Sequence, residues 1–585
     1  MMRPKTPLTG TKRRNVEKLT QRFRGIFFFL FLASGIINIL ALTGSFYMLQ
    51  IYDRALTSGS VPTLLGLSAL AIGLYLFQGF FDVIRSQVLV RVGARLDAKI
   101  APMAHQVAID MPRFGFSTAE ALERGRDVDT VRGFLGSQGP LAFFDLPWMP
   151  LYVVFVYMLH PYLGALTFGG AFVLSILTIV TELMTRRWAA ATHKSGIDRN
   201  AIAESNTRNA EVLKAMGFAD RAVKRFNRAN QEHLALQTRT NDISGTFGAV
   251  SRVLRMILQS AVLGLGAWLT IIGELSAGAI IAASVASARA LAPVDLAVGN
   301  WKSFVAARTA FARLKETVVA LAGAEPLMGL PAPKKSLKVE KLTVAAPGSG
   351  RILLSDVSFE IAAGQALGII GSSGGGKTTL ARALTGIWPP LRGSVRLDDA
   401  ELTQWADSII GQHIGYLPQD VALLDASVEE NISRLEQQSD ARAIVEAAQT
   451  TGVHEMIVRL PEGYRTALGP QGASLSAGQR QRIALARALY RNPFVVVMDE
   501  PNSNLDGEGE SALTEAIHAI KARQGIAIVI AHRPSALTAV DLIAVVQNGK
   551  MIAFGPKHEI LKPAAVGDAN GRSPVTARMT SRVSE

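Results

Sequence analysis

A glycine-rich stretch has the residue types and the spacing to bind phosphate groups. Residues 371–379 fit the pattern G-x-x-x-x-G-K-[ST] and directly follow the apolar run Ala366–Ile370. Glycines let backbone N–H groups curl around phosphate oxygens, and a helix that begins at this point adds its positive dipole end. Lys377 can reach the β- and γ-phosphates, and the Thr378 hydroxyl can bind Mg²⁺. The candidate ligands of a nucleoside triphosphate are Gly371, Ser372, Ser373, Gly374, Gly375, Gly376, Lys377, Thr378 and Thr379.

Two adjacent carboxylates supply the complementary chemistry. Asp499 and Glu500 follow the apolar run Phe494–Met498, as expected at the carboxyl end of a buried central strand. We expect Asp499 to hold Mg²⁺ and Glu500 to act on the attacking water as a general base. A strand that ends in a solvated acidic turn would look the same in isolation, but the phosphate loop upstream favours nucleotide hydrolysis.

A third motif indicates a family. Residues 475–479 read Leu-Ser-Ala-Gly-Gln and resemble the signature LSGGQ of ABC ATPases, with Ala477 in place of the first glycine. Gln419, Asp506 and His532 resemble the Q-loop glutamine, the D-loop aspartate and the switch histidine of that family, in order and spacing. The resemblance spans about Leu337–Leu561.

The resemblance implies roles for these residues and a dimer. ATP and Mg²⁺ would be the cofactors, with Glu500, His532 and Gln419 catalytic and with Thr378, Gln419 and Asp499 at the metal. In this family the signature of one subunit contacts the γ-phosphate held by the phosphate loop of the other, so a homodimer is the simplest complete machine. The residues that would complete the nucleotide site in this way are Ser476, Gly478, Gln479 and Asp506.

One departure from the family concerns the adenine base. ABC ATPases often stack an aromatic residue on adenine upstream of the phosphate loop, and the matching stretch Thr343–Ser349 contains none. The sequence therefore predicts neither aromatic stacking nor a strict preference for ATP over GTP.

Composition places the remainder of the chain in a membrane. Of 585 residues 49% are hydrophobic and only 18% are charged, and there is no cysteine, so disulfides and thiolate metal sites are excluded. Since a span needs roughly 20 apolar residues, six spans are predicted: Ile26–Leu49, Val61–Phe81, Leu141–Leu159, Tyr162–Thr181, Ala249–Ile272 and Leu275–Val298. The first of these is too long for the core of a signal peptide and is interpreted as an uncleaved anchor.

The distribution of charge predicts the topology. The net charge is +14, and the basic residues collect in residues 1–25 and in the long loops of about 82–140 and 182–248, whereas the three short turns hold few charges. Basic loops stay cytoplasmic, so we expect both termini inside, and this pattern argues against a nucleic-acid role. Each long loop has few helix breakers and could form two helical legs.

Three charged residues are predicted within or beside the spans. Asp145, Arg289 and Asp295 would be costly at membrane depth and would face a cavity or a partner. Two interpretations stay open: they line an export path or a gate, or they form ion pairs between helices or subunits. Arg289 and Asp295 are six residues apart, so they should not pair within one straight helix.

The architecture is therefore predicted to combine a six-span α-helical membrane domain of the ABC exporter type with an α/β P-loop ATPase domain. Strand-like runs that alternate with helical stretches favour a largely parallel sheet, and the alternating run Leu337–Val344 is predicted to be an edge strand. The predicted segments are a basic N-terminus (1–25), a membrane domain (26–324), a linker (325–336), the ATPase domain (337–561) and a tail of disordered composition (562–585).

The membrane half resembles a narrower group. The segments Tyr47–Arg54, Phe144–Trp148 and Arg289–Pro293 are similar to the type I secretion ATPases, in particular to exporters of proteases, lipases and glycine-rich Ca²⁺-binding proteins. Since about 25 residues precede the first span, we expect neither a peptidase domain nor a peptidase-like docking domain before it. This resemblance implies a bacterial inner-membrane protein that joins a periplasmic adaptor and an outer-membrane channel. It would export an unfolded protein with a C-terminal signal.

Two other functions are weighed beside protein export. A lipid flippase or multidrug exporter would share the fold and differ in cargo. A membrane-tethered regulatory ATP-binding protein would not transport, and the intact Glu500 argues against it.

Overall fold

The computed structural model describes residues 10–321, 330–469 and 472–561. Residues 1–9 of the basic N-terminus, residues 325–329 of the predicted linker and the predicted tail 562–585 lie outside the described residues. The chain forms two compact units: the first holds almost all described residues up to 321, and the second holds those from 330 onward.

The first unit is α-helical. Its helices are α1 (Gly10–Ala41), α2 (Thr43–Gln50), α3 (Leu56–Ser58), α4 (Val61–Asp110), α5 (Thr118–Leu135), α6 (Gly139–Asp145), α7 (Met149–Leu159), α8 (Pro161–Arg208), α9 (Ala210–Ala215), α10 (Ala219–Ile271) and α11 (Ala277–Leu321).

The six predicted spans are confirmed within the described residues. Six helical segments are long and apolar enough to cross a membrane: Arg24–Ser58, Val61–Phe114, Gly139–Leu159, Pro161–Arg208, Ala219–Ile271 and Ala277–Ala297. The two helical legs predicted for each long loop are present as well. The helices α4 and α8 extend beyond their apolar parts and form the first leg of each long loop. The helices α5 and α10 supply the second leg. The helices α8 and α10 are 48 and 53 residues long.

The third predicted span, Leu141–Leu159, is not one continuous helix. The helix α6 ends at Asp145, a single 3₁₀ turn covers Leu146–Trp148, and α7 begins at Met149. Pro147 and Pro150 explain the break, because proline has no N–H to donate and its ring clashes with the preceding turn.

Asp145 and Asp295, two of the three charged residues predicted within or beside the spans, form ion pairs between helices. Asp145 lies 2.6 Å from the buried Arg85 of α4 and accepts a hydrogen bond of 2.9 Å from Asn38 of α1. Asp295 of α11 lies 2.9 Å from Arg255 of α10. The ion-pair interpretation is thus confirmed for these two residues. Arg289 has no carboxylate within ion-pair distance among the described residues, which agrees with the expectation that it does not pair with Asp295.

The second unit contains two sheets. The strands are β1 (Ser336–Ala345), β2 (Ile352–Ala362), β3 (Ala366–Ile370), β4 (Arg392–Leu397), β5 (Ala400–Glu401), β6 (Ile414–Leu417), β7 (Val495–Asp499), β8 (Ile526–Ile530), β9 (Leu542–Gln547) and β10 (Lys550–Pro556). The larger sheet has the order β10-β9-β3-β8-β7-β6, with parallel neighbours from β9 to β6 and an antiparallel β10. The largely parallel sheet predicted from the sequence is confirmed.

The smaller sheet corrects one prediction. Its order is β2-β1-β4-β5, so the run predicted to be an edge strand lies between two antiparallel neighbours. The alternation in β1 does reflect one buried face, since Leu337, Val339, Leu342 and Val344 are all buried. Alternation reports which face is buried and carries no information about which edges are paired.

The described part of the second unit also contains eight helices. They are α12 (Lys377–Leu384), α13 (Asp407–His413), α14 (Val428–Ile432), α15 (Ala441–Thr450), α16 (His454–Val458), α17 (Ala477–Leu489), α18 (Gly507–Ala522) and α19 (Lys557–Ile560). Every residue of β7 and β8 is buried, as expected for central parallel strands. Polar chemistry in this unit is therefore confined to the strand ends.

Candidate nucleotide site

The sheet topology brings the candidate residues to one edge. The phosphate loop follows β3, Asp499 ends β7, His532 follows β8 by two residues and Gln419 follows β6 by two residues. These four strands are parallel neighbours, so their carboxyl ends lie together, which is where ligands bind in open α/β sheets.

The phosphate loop takes a backbone path that requires glycine. Gly371, Gly374 and Gly376 have φ values of 154°, 75° and 104°. A Cβ on Gly371 would lie 1.9 Å from the carbonyl oxygen of Val546, and one on Gly376 would lie 2.9 Å from Leu354 Cδ2. The backbone angle disfavours a side chain at all three glycines, and the lack of space excludes one at Gly371 and Gly376 as well. The loop thus stays open for an approaching phosphate.

Lys377 is held beneath this loop. Its Nζ donates hydrogen bonds of 2.9 Å to the carbonyl oxygens of Gly371 and Ser372, and the residue is only 5% exposed. Burial lowers the pKa of the ammonium, and the negative charges of Glu500 and Asp499 act in the opposite direction. The ammonium thus lies where it could meet the anionic oxygens of a phosphate chain.

Asp499 is a buried carboxylate without a hydrogen-bond partner. It is 1% exposed, and neither carboxylate oxygen has a partner of hydrogen-bond geometry within the described structure, although Thr378 lies beside it. Burial raises the pKa of Asp499, the neighbouring Thr378 hydroxyl acts in the opposite direction, and the charge of Glu500 raises the pKa again. Orphaned hard oxygen atoms next to a threonine hydroxyl are a donor set that fits Mg²⁺.

The raised pKa of Asp499 predicts a pH dependence of metal use. A protonated carboxyl is a poor ligand, so protons should compete with Mg²⁺ at a higher pH than they would at an ordinary aspartate. As the pH falls, the Mg²⁺ concentration needed for half-maximal ATP hydrolysis should begin to rise at a higher pH than protonation of an ordinary aspartate would give. A Mg²⁺ titration at each pH measures it. A rise that begins only in the ordinary range of an aspartate would contradict the prediction.

Stability should follow the same linkage. Because the folded pKa of Asp499 is raised, this residue's contribution to stability is present below its unfolded pKa and is lost as the pH rises through the folded pKa. Added Mg²⁺ and ATP should therefore raise the melting temperature more at a pH above the folded pKa of Asp499 than at a pH below it.

Glu500 and His532 form a pair beside Asp499. The His532 Nε2 lies 3.1 Å from Glu500 Oε1, and both side chains are partly exposed. Glu500 has a φ of 51°, and its backbone N–H donates to the carbonyl oxygen of Ile530 at 2.9 Å. A left-handed conformation at a non-glycine residue costs free energy and tends to occur at functional sites. The hydrogen bond to β8 holds this conformation, and the carboxylate is thereby turned towards the histidine.

The signature residues form the start of α17. Ser476 caps the helix: its Oγ accepts from the N–H of Gln479 at 3.3 Å, and Gln479 Oε1 accepts from the N–H of Ser476 at 2.9 Å. A Cβ on Gly478 would lie 2.9 Å from the carbonyl oxygen of Asn504, so the helix passes close to the loop after Glu500. No hydrogen bond or ion pair joins Ser476 to the phosphate loop within the described chain.

The remaining predicted residues lie at the periphery. Asp506 caps α18 by accepting from the N–H of Gly509 at 2.9 Å and lies 2.7 Å from Arg482. Gln419 is exposed, and no hydrogen bond of its side chain is present in the described structure. The structure thus joins Lys377 to the loop, Glu500 to His532 and Ser476 to Gln479, and it leaves Gln419 and Asp506 apart from these groups.

Sequence reasoning missed Gln481. Its side chain is 2% exposed, donates to the carbonyl oxygens of Glu500 and Pro501, and accepts from the N–H of Asn504 at 3.1 Å. It connects α17 to the backbone of the proposed base. Its place two residues after Gln479 was visible, but only the tertiary structure shows that the amide faces inwards.

Fold and site together define an ATP-driven membrane transporter. The descriptions of two family models match: "ABC transporter" at residues 354–503 and "ABC transporter transmembrane region" at residues 25–293. A bacterial Atm1-family ABC exporter solved with ATP bound has the same fold, with a TM-score of 0.80, 22% identity, and coverage of 93% of this chain and 97% of that chain.

Proteins of similar sequence indicate which class of ABC transporter this chain belongs to. The type I secretion system ATP-binding protein PrsD of Rhizobium meliloti (strain 1021) is 48% identical over 538 residues, which are 92% of each protein. The toxin RTX-I translocation ATP-binding protein of Actinobacillus pleuropneumoniae is 26% identical over 555 residues, 94% of this chain and 78% of that protein. The chain belongs to the type I secretion family of ABC transporters, multi-pass membrane proteins that couple ATP hydrolysis to protein export.

Proposed function

We propose that this chain is the inner-membrane ATPase of a type I secretion conduit and exports an unfolded protein with a C-terminal signal. Both termini would be cytoplasmic. A periplasmic adaptor and an outer-membrane channel would continue the path, so that the cargo crosses from the cytoplasm to the exterior. The observation that carries the proposal is the Glu500–His532 pair beside Lys377 and Asp499, in a chain that is 48% identical to a type I secretion ATP-binding protein.

The proposed hydrolysis uses groups that are already in place. Glu500 takes the proton of the attacking water as a general base, and His532 holds the Glu500 carboxylate in position. Lys377 leaves its two carbonyl partners to meet the β- and γ-phosphates. Asp499, Thr378 and Gln419 would hold Mg²⁺, which would supply positive charge to the phosphate chain.

A homodimer completes the site. In the proposal, Ser476 of the partner subunit and the N–H of the partner's Gly478 contact the γ-phosphate held by Lys377. This arrangement is supported by the position of Ser476 and Gly478 at the start of α17, where N–H groups and the positive end of the helix favour an anion. Two nucleotides would then hold two ATPase domains together, and hydrolysis would release them.

The cargo is tested by comparing secreted proteins. We expect deletion of the gene to remove one or a few proteins from the medium, as detected by mass spectrometry. The C-terminal segment of such a protein, fused to an unrelated passenger, should restore export of the passenger in the presence of this chain. The same segment fused to the N-terminus of the passenger serves as the control and should not be exported.

Unchanged secretion would contradict the proposal. If the medium were unaltered while membrane lipid distribution or drug resistance changed, a flippase or multidrug exporter would be the better assignment. A passenger exported with equal efficiency from either fusion would contradict the C-terminal position of the signal.

A further inference from the structure

Gln481 is buried between the signature helix and the loop that carries the proposed base. It is the fifth residue of α17 and is only 2% exposed. Its side-chain amide faces residues 500–504, which directly follow β7. Buried polar groups are almost always hydrogen-bonded, so the partners of this amide indicate what the residue does.

The amide of Gln481 uses both its nitrogen and its oxygen. Its Nε2 donates to the carbonyl oxygen of Glu500 at 3.3 Å and to that of Pro501. Its Oε1 accepts from the N–H of Asn504 at 3.1 Å. Because two of the partners are acceptors and one is a donor, a single orientation of the amide satisfies all three. Glutamine fits this requirement, since it supplies two N–H donors and an acceptor without a charge.

These hydrogen bonds act on the backbone of Glu500 itself. Its φ of 51° is costly at a non-glycine residue, so the surroundings must hold it. The carbonyl oxygen of Ile530 holds its N–H at 2.9 Å, while Gln481 and the N–H of Ser503, at 3.2 Å, hold its carbonyl oxygen. Backbone angles restrict the rotamers of a side chain. The contacts therefore fix the carboxylate of Glu500 beside His532, whose Nε2 lies 3.1 Å away.

The loop after Glu500 depends on the same amide. Within the described residues, neither the Pro501 carbonyl oxygen nor the Asn504 N–H has another hydrogen-bond partner. The helix α17 is packed tightly against this loop, since a Cβ on Gly478 would lie 2.9 Å from the carbonyl oxygen of Asn504. Pro501 is buried, and a buried carbonyl without a partner costs free energy. Loss of the amide should therefore shift the loop, and Glu500 with it.

We propose that Gln481 is a positioning residue for ATP hydrolysis. Through the backbone of Glu500 and the loop that follows, it holds the carboxylate at the place from which the carboxylate takes the proton of the attacking water. The inference rests on the proposed function, because it takes Glu500 to be the general base. It adds a residue that acts on the reaction only through that base.

The test replaces Gln481 with methionine in the full-length protein. Methionine has a similar length and volume but forms no strong hydrogen bond. Since a displacement of about 1 Å can slow a reaction on the order of 10²-fold, kcat for ATP hydrolysis should fall about 10- to 100-fold. The KM for ATP should stay within about twofold of the wild-type value, because the phosphate loop is unchanged. The rise in melting temperature on adding ATP should persist for the same reason.

The variant Tyr490→Phe is the matched control. Tyr490 directly follows the last residue of α17 and is 3% exposed. Its hydroxyl donates to Glu436 at 2.8 Å and accepts from the N–H of Asp440 at 3.2 Å. The substitution removes a buried hydrogen-bonding group at the end of the helix away from Glu500. It should lower the melting temperature and leave kcat unchanged.

A double variant separates positioning from a merely structural role. If Gln481 acts through Glu500, adding Gln481→Met to Glu500→Gln should lower the residual rate of hydrolysis by less than about twofold. If Gln481 only supported the fold, the two losses would multiply. Each rate is expressed per ATP-binding site, counted with a fluorescent ATP analogue, so that misfolded protein does not enter the comparison.

Three results would overturn the inference: a wild-type kcat in Gln481→Met, a loss confined to KM or to the ATP-induced rise in melting temperature, or multiplied losses in the double variant. A wild-type kcat in Gln481→Met together with slow hydrolysis by Glu500→Gln would leave the proposed base in place. Failure of this inference is thus distinguishable from failure of the proposed function. Normal hydrolysis by Glu500→Gln would instead remove the base, and this inference with it.

Discussion

Replacing Glu500 with glutamine should abolish export while ATP binding persists. Glutamine keeps the shape of the side chain and can still accept a hydrogen bond from water, but it cannot take up the proton. The rate of ATP hydrolysis should fall by a factor on the order of 10²–10⁴, the range for loss of a general base. Secretion of the cargo should stop, because in the proposed homodimer nucleotide would remain trapped between the two ATPase domains. Phosphate release from purified protein and the amount of cargo in the medium measure the two effects.

The prediction that Glu500→Gln still binds ATP is tested by a separate measurement. ATP should raise the melting temperature of Glu500→Gln at least as much as that of the wild type, since stabilisation by a ligand increases with the logarithm of its affinity for the folded state. The matched control is Glu515→Gln. It removes an exposed carboxylate of α18 that has no ion pair or hydrogen bond in the described structure. It should leave the rates of ATP hydrolysis and of secretion unchanged. Normal hydrolysis by Glu500→Gln would show that another group is the base.

The phosphate loop could be predicted because its function requires a contiguous pattern. Consecutive glycines, a lysine and a threonine after an apolar strand carry the whole geometry of the loop within nine residues. Six spans could be predicted for a similar reason, since the thickness of the bilayer fixes the length of each apolar run. In both cases the physical constraint is local in the chain.

Contacts between distant residues could not be predicted in this way. Asp145 was recognisable as a costly charge, but its partner Arg85 lies 60 positions away and only the tertiary structure brings the two side chains to 2.6 Å. Gln481 could not be predicted for the same reason, because its amide acts through hydrogen bonds to the backbone carbonyl oxygens of Glu500 and Pro501. Sequence shows that a buried polar group needs a partner, and tertiary structure determines which one.

The wrong edge assignment of β1 has a related cause. The hydrophobic alternation of this strand is set by its burial on one face, whereas its neighbours β2 and β4 are joined to it by hydrogen bonds of the backbone. Backbone hydrogen bonds are nearly independent of side-chain type. The number of paired edges therefore has a weak signal in the sequence.

Placing a methyl group on Gly371 should disable nucleotide binding. The Cβ of Gly371→Ala would lie 1.9 Å from the carbonyl oxygen of Val546, and φ of 154° is a poor conformation for alanine. The loop must then move away from β9, and Lys377 loses one of the carbonyl groups that position it. Overpacking of this kind costs about 1–3 kcal/mol. We expect a lower melting temperature and little further stabilisation by ATP.

Gly463→Ala separates the two parts of this effect. Gly463 has a φ of 56°, and its Cβ would meet no atom within 4 Å, so the substitution introduces backbone strain of about 1–2 kcal/mol without a clash. It should lower the melting temperature and leave the ATP-induced shift intact. If Gly371→Ala behaved in the same way, the close approach of the loop to β9 would not be what shapes the phosphate site. A selective loss of the ATP-induced shift in Gly371→Ala would instead show that the contact with Val546 sets the position of both the loop and Lys377.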